Sequence, residues 1–268
     1  MRTYFVILCL FIAVKFFAQI PNDYPFKNGE ELKYSVSYHL SFLWVDAAEV
    51  NFKLVDTVYN KHKAIFFVST GYTMPNYDWI FKVRNKFSAF TSYDISPLMY
   101  HRNTREGSNK KNNIYYFNPS KKEIYSKIKK TNTVEKDTLS YKTRIYDILS
   151  ATYYLRTIHF QNYHIGDTIP VNTIMDNEII KINVIYLGKE KIIHRNEQSY
   201  PCYKFKTKGV EGSIFDDKSE VVVWVSQDEN KIPLKIESEI LVGSVVAYIQ
   251  TIKKPKKKTS IINDFLIK

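Results

Sequence analysis

The side chains of this 268-residue chain that could do chemistry are six histidines, two serine-lysine spacings, scattered acids and one arginine set in a helical pattern. His39, His62, His101, His159, His164 and His194 never recur at the i, i+4 spacing that zinc proteases use, and His159 and His164 fall across a helix end, so no metal site is expected. Ser108-Asn109-Lys110-Lys111 and Ser126-Lys127-Ile128-Lys129 match S-x-x-K, but in so lysine-rich a chain about two such matches arise by accident. There is no G-x-S-x-G. The eight glycines stand singly, with neither a phosphate-cradling loop nor a dinucleotide fingerprint, which removes ATP and NAD as expected cofactors. Asp216-Asp217 reads as a turn and Glu237/Glu239 as the outward face of a strand. A glycosidase pair distant in sequence is the one enzymatic arrangement these patterns do not address. The expectation is a protein that is not an enzyme and has no cofactor.

Arg156 is the one candidate binding residue. At 100° per residue Ile145, Ile148, Leu149, Thr152, Leu155, Arg156 and His159 share an arc, opposite Thr143, Asp147, Ser150 and Tyr154. This spacing predicts an amphipathic helix over about 143–160 whose core-facing side carries a guanidinium near its C-terminus. A cation there must reach the rim along its stem or meet an acid, because an unpaired buried charge costs several kcal/mol. Glu237 and Asp228 are the acids to try first. The arginine is either a structural ion pair or a clamp for an anionic headgroup at the mouth of a groove, a task its planar fork suits.

The elements that must position it are strands. Tyr and Phe are abundant, together with Ile and Val, a mixture suited to pleated, half-buried surfaces. Glu31 to Tyr38 alternates with period two, as do Val50, Phe52 and Leu54 with their neighbours, and Ile65 to Thr70 and Phe81 to Thr91 read as two more strands. Ile114 to Phe117 and Glu123 to Ser126 flank an Asn118-Pro119 turn. After Gly166-Asp167 come Lys181 to Leu187, Lys191 to Arg195, Cys202 to Lys206 and Glu220 to Ser226. Asp228-Glu229-Asn230 then turns into Pro233 to Val242, and Gly243-Ser244 suits a two-residue hairpin turn into Val245 to Ile252. Trp224, in a run apolar on both faces, is expected in the core. The fold class is therefore mainly β: one large curved antiparallel sheet or open barrel with a single helix packed on it.

The blocks Asn28-Gly29-Glu30-Glu31-Leu32-Lys33-Tyr34, Tyr146 to Arg156, Val223-Trp224-Val225-Ser226-Gln227-Asp228 and Ile232-Pro233-Leu234-Lys235-Ile236-Glu237 stand in an order that resembles the DUF3108 family of exported bacterial proteins. The resemblance runs from about Phe26 to Ile252. It implies a β-rich envelope protein and brings no catalytic residues. Gln227 departs from the acidic or small turn residue that the family more often shows.

Export is also expected from the N-terminus. Met1-Arg2-Thr3-Tyr4 is a short basic region, Phe5 to Val14 an apolar run of about ten residues, and Ala18 a small residue at a cleavage point. A membrane span needs about twenty apolar residues. Residues 1–18 read as a signal peptide, 19–252 as a single β-rich domain and 253–268 as a lysine-rich tail. Lipid attachment at Cys9 is not expected, because too few apolar residues precede it. Cleavage leaves Cys202 as the remaining thiol, so no intrachain disulfide is expected.

The formal charge of +12 falls to roughly +10 without Arg2 and Lys15. Export makes nucleic acid an unsuitable partner. An anionic envelope component (lipid, lipopolysaccharide or peptidoglycan) or an envelope protein fits better, in the periplasm or at the cell surface. Two function classes follow: a non-catalytic binding module whose sheet and helix enclose an aromatic groove for a lipid, lipoprotein or glycan, or an interaction protein docking to an envelope partner or polyanionic surface.

Overall fold

The structure, a computed structural model, describes residues 20–21, 23–40, 43–129, 133–208, 219–239 and 243–253. Among these residues fourteen antiparallel strands form one sheet. The first eight are β1 (Glu31–Leu40), β2 (Leu43–Tyr59), β3 (His62–Thr73), β4 (Val83–Thr91), β5 (Pro97–Glu106), β6 (Asn109–Asn118), β7 (Glu123–Lys129) and β8 (Val134–Ser140). The helix α1 (Ile148–Arg156) follows, then β9 (Thr168–Met175), β10 (Glu178–Ile193), β11 (Ser199–Lys208), β12 (Glu220–Ser226), β13 (Pro233–Glu239) and β14 (Ser244–Lys253). Each run of strands is a simple meander. Pairing of β1 with β14 joins the two runs, which leaves β8 and β9 as the edges.

Curvature follows from irregularities in the ladders. Register shifts at Lys33/Tyr34, Val36/Ser37, Phe90/Thr91, Tyr186/Gly188 and Trp224/Val225 bend and twist the sheet. The β9 edge is drawn inside. The Asp176-Asn177 turn, at positive φ in both residues as a two-residue hairpin requires, sets the Asp176 carboxylate against the first run of strands. That carboxylate accepts hydrogen bonds from Arg102 Nη1 at 3.1 Å and Asn113 Nδ2 at 2.9 Å, and pairs with Lys111 Nζ at 2.5 Å. The β8 edge is long and exposed but carries Glu135, Lys136 and Asp137, charges that discourage further strand addition.

The concave face needs cover, and three pieces of chain supply it: α1, β9 and the N-terminal segment. Phe26, Phe67, Tyr100, Tyr115 and Tyr153 are among the largest fully buried side chains. Tyr153 stacks on Phe67 with centroids 4.2 Å apart and meets Phe26 edge-on at 5.1 Å, an arrangement aromatic pairs favour.

The helix is shorter than the 143–160 its periodicity predicts. Asp147 is its N-cap, accepting from the Leu149 and Ser150 amides, while the Ser150 hydroxyl accepts from the Asp147 amide to complete a capping box. Tyr146, just before it, pairs with the β9 edge through Tyr146 N to Asn172 O at 2.9 Å and Ile174 N to Tyr146 O at 3.0 Å. The sheet also wraps the helix more fully than one arc allows. Ser150 and Asp147, expected on the outer side, are buried, whereas His159, expected inside, lies beyond the helix end and is exposed.

Other elements also differ from the sequence expectation. Lys181 to Leu187 and Lys191 to Ile193 belong to one strand, β10, bulged at Gly188 (φ 104), and His194 and Arg195 fall in the turn beyond it. Ser244 is the first residue of β14, paired with Glu239, so Gly243-Ser244 is not the turn. Strands β5 and β8 gave too little alternation of polarity to be seen, and in β9 Pro170 interrupts an alternating run. Pro170 in β9 fits an edge position, where a missing N–H is tolerated.

Trp224 is buried as expected. It packs with Ile192, Cys202, Leu234 and Ile249, and Lys235 Nζ lies 4.4 Å from its ring centroid. The β10–β11 hairpin reaches this region beyond Gly188, with His194 Nε2 2.8 Å from Ile249 O and Arg195 Nη1 2.5 Å from Asp46 Oδ1. Trp224→Ala is expected to destabilise the fold by about 3–5 kcal/mol in chemical denaturation. An unchanged midpoint would place the indole outside the core.

Candidate functional site

Arg156 ends α1 and points its guanidinium inward. Its Nη1 donates to Glu30 Oε1 at 2.6 Å and its Nη2 to Glu30 Oε2 at 3.0 Å, a two-pronged pair closed by further bonds to Asn230 O at 2.9 Å and Pro25 O at 3.3 Å. The Phe26 and Tyr153 rings lie 5.5 and 5.3 Å from its central carbon. Burial works against the charge, but the Glu30 hydrogen bond and carboxylate outweigh it and raise the guanidinium pKa.

The pairing expected for Arg156 is therefore present with a different acid. Asp228 caps the Ser226–Lys231 turn instead, accepting from Ser226 Oγ and the Asn230 and Lys231 amides. Glu237 pairs with Lys235 Nζ at 2.7 Å. Glu30 lies just before β1, in a block singled out for family resemblance, and only the fold reveals that it faces the helix end. The Arg156 side chain is 3 % exposed and its two Nη atoms are committed.

Asp147 is the second buried group at the helix. Burial pushes its carboxyl up to about 6, against the hydrogen bonds donated by Ser150 and Leu149 that favour the anion.

The remaining sequence candidates do not converge. Ser126 and Lys129 are three apart in one strand and so face opposite sides of it, and the Ser126 side chain is buried. Lys111, from the other serine-lysine match, is held by Asp176. Asp216 and Asp217 lie outside the described residues. Among the described residues no three His, Cys, Asp or Glu side chains gather where a metal ion could be held. The Cys202 thiol is free but buried, and burial with the nearby Glu190 charge pushes it up to about 11, far from a reactive thiolate. Gln227, the departure from the family pattern, ties its turn to β11 through its own N to Pro201 O and its Nε2 to Cys202 O.

The described surface carries shallow clefts and an exposed apolar loop. A cleft of about 290 Å³ between Ser96-Pro97 and residues 141–145 is lined in part by Lys122, Lys142 and Arg144. At the opposite rim, the connection from β3 to β4 exposes Trp79, Ile80 and Phe81 in succession. Sequence reading placed Phe81 at the start of a strand. The missed signal was three consecutive large apolar residues just after Pro75-Asn76-Tyr77-Asp78.

Two outcomes are expected from this geometry. Arg156→Met and Glu30→Gln should each destabilise by about 3–5 kcal/mol, and the double variant by clearly less than their sum, because each single change strands a buried partner; additive losses in a denaturant double-mutant cycle would contradict the pairing. For Asp147 the folded pKa lies above the unfolded value near 3.9. Its stabilising contribution is thus complete below about pH 4 and is lost as pH rises through about 6. Asp147→Asn keeps the cap without the charge, so its stability relative to the parent should rise by up to about 3 kcal/mol between those limits. A difference that stays flat with pH would refute it.

Comparison with solved structures finds a β-barrel-like protein of domain of unknown function DUF1849 from Brucella abortus, at 7 % identity and TM-score 0.53, with 85 % of this chain and 98 % of that one covered. At that identity the likeness concerns the fold alone. No curated protein matches the chain. The family model described as protein of unknown function DUF3108 matches residues 33–250, taking in the strands β2 to β13, the helix with Arg156 and most of β1 and β14. The chain belongs to the DUF3108 family.

Proposed function

We propose that this chain is an exported, non-catalytic protein of the cell envelope that works through its outer surface, by adhering to an anionic envelope component. The observation that carries this reading is the close packing of the interior among the described residues. The aromatic residues that could have lined a groove for a lipid, lipoprotein or glycan pack instead on one another and on α1. The accessible clefts are shallow and lined in part by lysines. Export rests on the Phe5 to Val14 apolar run and Ala18, and places the protein in the periplasm or at the cell surface. No helix among the described residues is long and apolar enough to cross a membrane.

The alternative, a binding module, draws support from the cleft beside Arg144, where Lys122 and Lys142 would suit a small anionic group. Arg144 already bonds to the Asp94 carbonyl and lies 3.2 Å from the Asp94 carboxylate, which leaves the lysines as the available charges. Docking through the outer surface agrees better with the size of that cleft and with the spread of the positive charge.

Cell fractionation with intact-mass measurement tests the proposal. The expected result is a chain beginning at Gln19, sedimenting with envelopes at low salt and released at about 1 M salt, where the Debye length is about 3 Å. Recovery from the cytosol with residues 1–18 retained would overturn it, as would a distribution indifferent to salt.

A further inference from the structure

Trp79, Ile80 and Phe81 are 83, 62 and 53 % exposed, a contiguous apolar run at the tip of a connection. Single exposed hydrophobics are ordinary in proteins, whereas adjoining large ones mark a surface that is covered in use. The connection is also built to hold them outward. A 3-10 turn at Pro75–Tyr77 is followed by bonds from the Ile80 and Phe81 amides to Tyr77 O at 3.0 and 3.2 Å. Beneath it, the Asp78 carboxylate takes Thr73 Oγ1 at 2.7 Å and both Arg84 Nη atoms at 3.0 and 2.6 Å. Phe81 leans over Gly107 so closely that a Cβ there would stand 3.1 Å from the ring. The loop is thus ordered before anything binds, which lowers the entropic cost of docking.

The charges beside it point to what covers it. Arg84, Arg105 and Lys110 are directly opposite one another across β4, β5 and β6, so all three side chains emerge on one face. Like charges in that position repel. Asp78 balances Arg84 and lies 3.7 Å from Lys82 Nζ, and Glu106 accepts from Asn85, but Arg105 and Lys110 are exposed. Trp44, 43 % exposed, stands at the same rim, since β2 begins where β3 ends. A tryptophan with aliphatic and aromatic neighbours, ringed by cations, matches a bilayer interface: the indole and apolar side chains enter at headgroup depth and the cations meet anionic headgroups.

We infer that the 79–81 loop, with Arg105 and Lys110 beside it, is an interfacial anchor that seats this rim on an anionic phospholipid bilayer. The inference rests on the envelope-adhesion reading above and names the component and the residues.

Co-sedimentation of the chain from Gln19 onward with phosphatidylcholine vesicles, with or without phosphatidylglycerol, tests it beside Trp79→Ser/Ile80→Ser. Phe81 is left in place because it packs on Gly107. The parent should partition onto the anionic vesicles and not onto the neutral ones. The double variant, with an unchanged melting temperature, should lose at least about tenfold in partition coefficient, the loss expected on removing two inserted side chains. Trp79→Ser and Ile80→Ser read separately keep the comparison usable if the double variant melts lower. Equal partition of parent and variants overturns the anchor and leaves adhesion by charge. A parent held by lipopolysaccharide or peptidoglycan sacculi but not by anionic vesicles likewise overturns the anchor alone. A parent held by none of these surfaces overturns the adhesion reading as well.

Discussion

Segments separated by 126 residues meet at the Arg156 guanidinium, and the rest of the fold is arranged around that meeting. A sheet of fourteen strands has a concave face larger than one nine-residue helix can cover. Beyond the β9 edge, further cover comes from chain that sheet pairing does not fix: residues 23–30 before β1 and the Asn230 turn between β12 and β13. Arg156 bonds to both and to the helix it ends. Its pair with Glu30 is not itself a large source of stability, since two charges had to be dehydrated to form it. Its value is positional. With both partners present, the helix end, the N-terminal segment and the turn have one mutual arrangement in which no buried charge is stranded.

A second buried arginine does the same at the opposite side. Arg102 receives Asp176 from the β9–β10 turn, which fixes how far the β9 edge is drawn inside the curve. Between these two points the interior is closed by aromatic packing. The helix, the edge strand and the N-terminal segment all contribute side chains to that packing among the described residues.

Much of this was legible in the sequence, and the limits have physical causes. Period-two alternation revealed the strands with one wet and one dry face. It failed for β8, where nearly every residue is exposed, and for β5, where Arg102 and Thr104 occupy inward positions that polarity assigns to solvent. Helical periodicity found Arg156 and its orientation but set the helix too long, because it cannot register that Tyr146 is already paired with a strand or that Asp147 is a cap. It also assumed one buried side, which is true of a helix lying on a sheet and false of one enclosed by it. The partner of Arg156 could not be found locally. The choice among Asp228, Glu237 and Glu30 depends on which turn lies over the helix end, a property of the whole topology.

The central claim is that the interior is filled by the chain itself, so that recognition belongs to the outside. Titration of the folded chain, from Gln19 onward, with the apolar fluorophore N-phenyl-1-naphthylamine tests it most directly. A filled interior gives no saturable one-to-one binding in the folded state, with any weak emission vanishing in Trp79→Ser/Ile80→Ser. Saturable binding that persists in that variant and disappears only on unfolding would mean an internal cavity for apolar ligands, and would contradict the account.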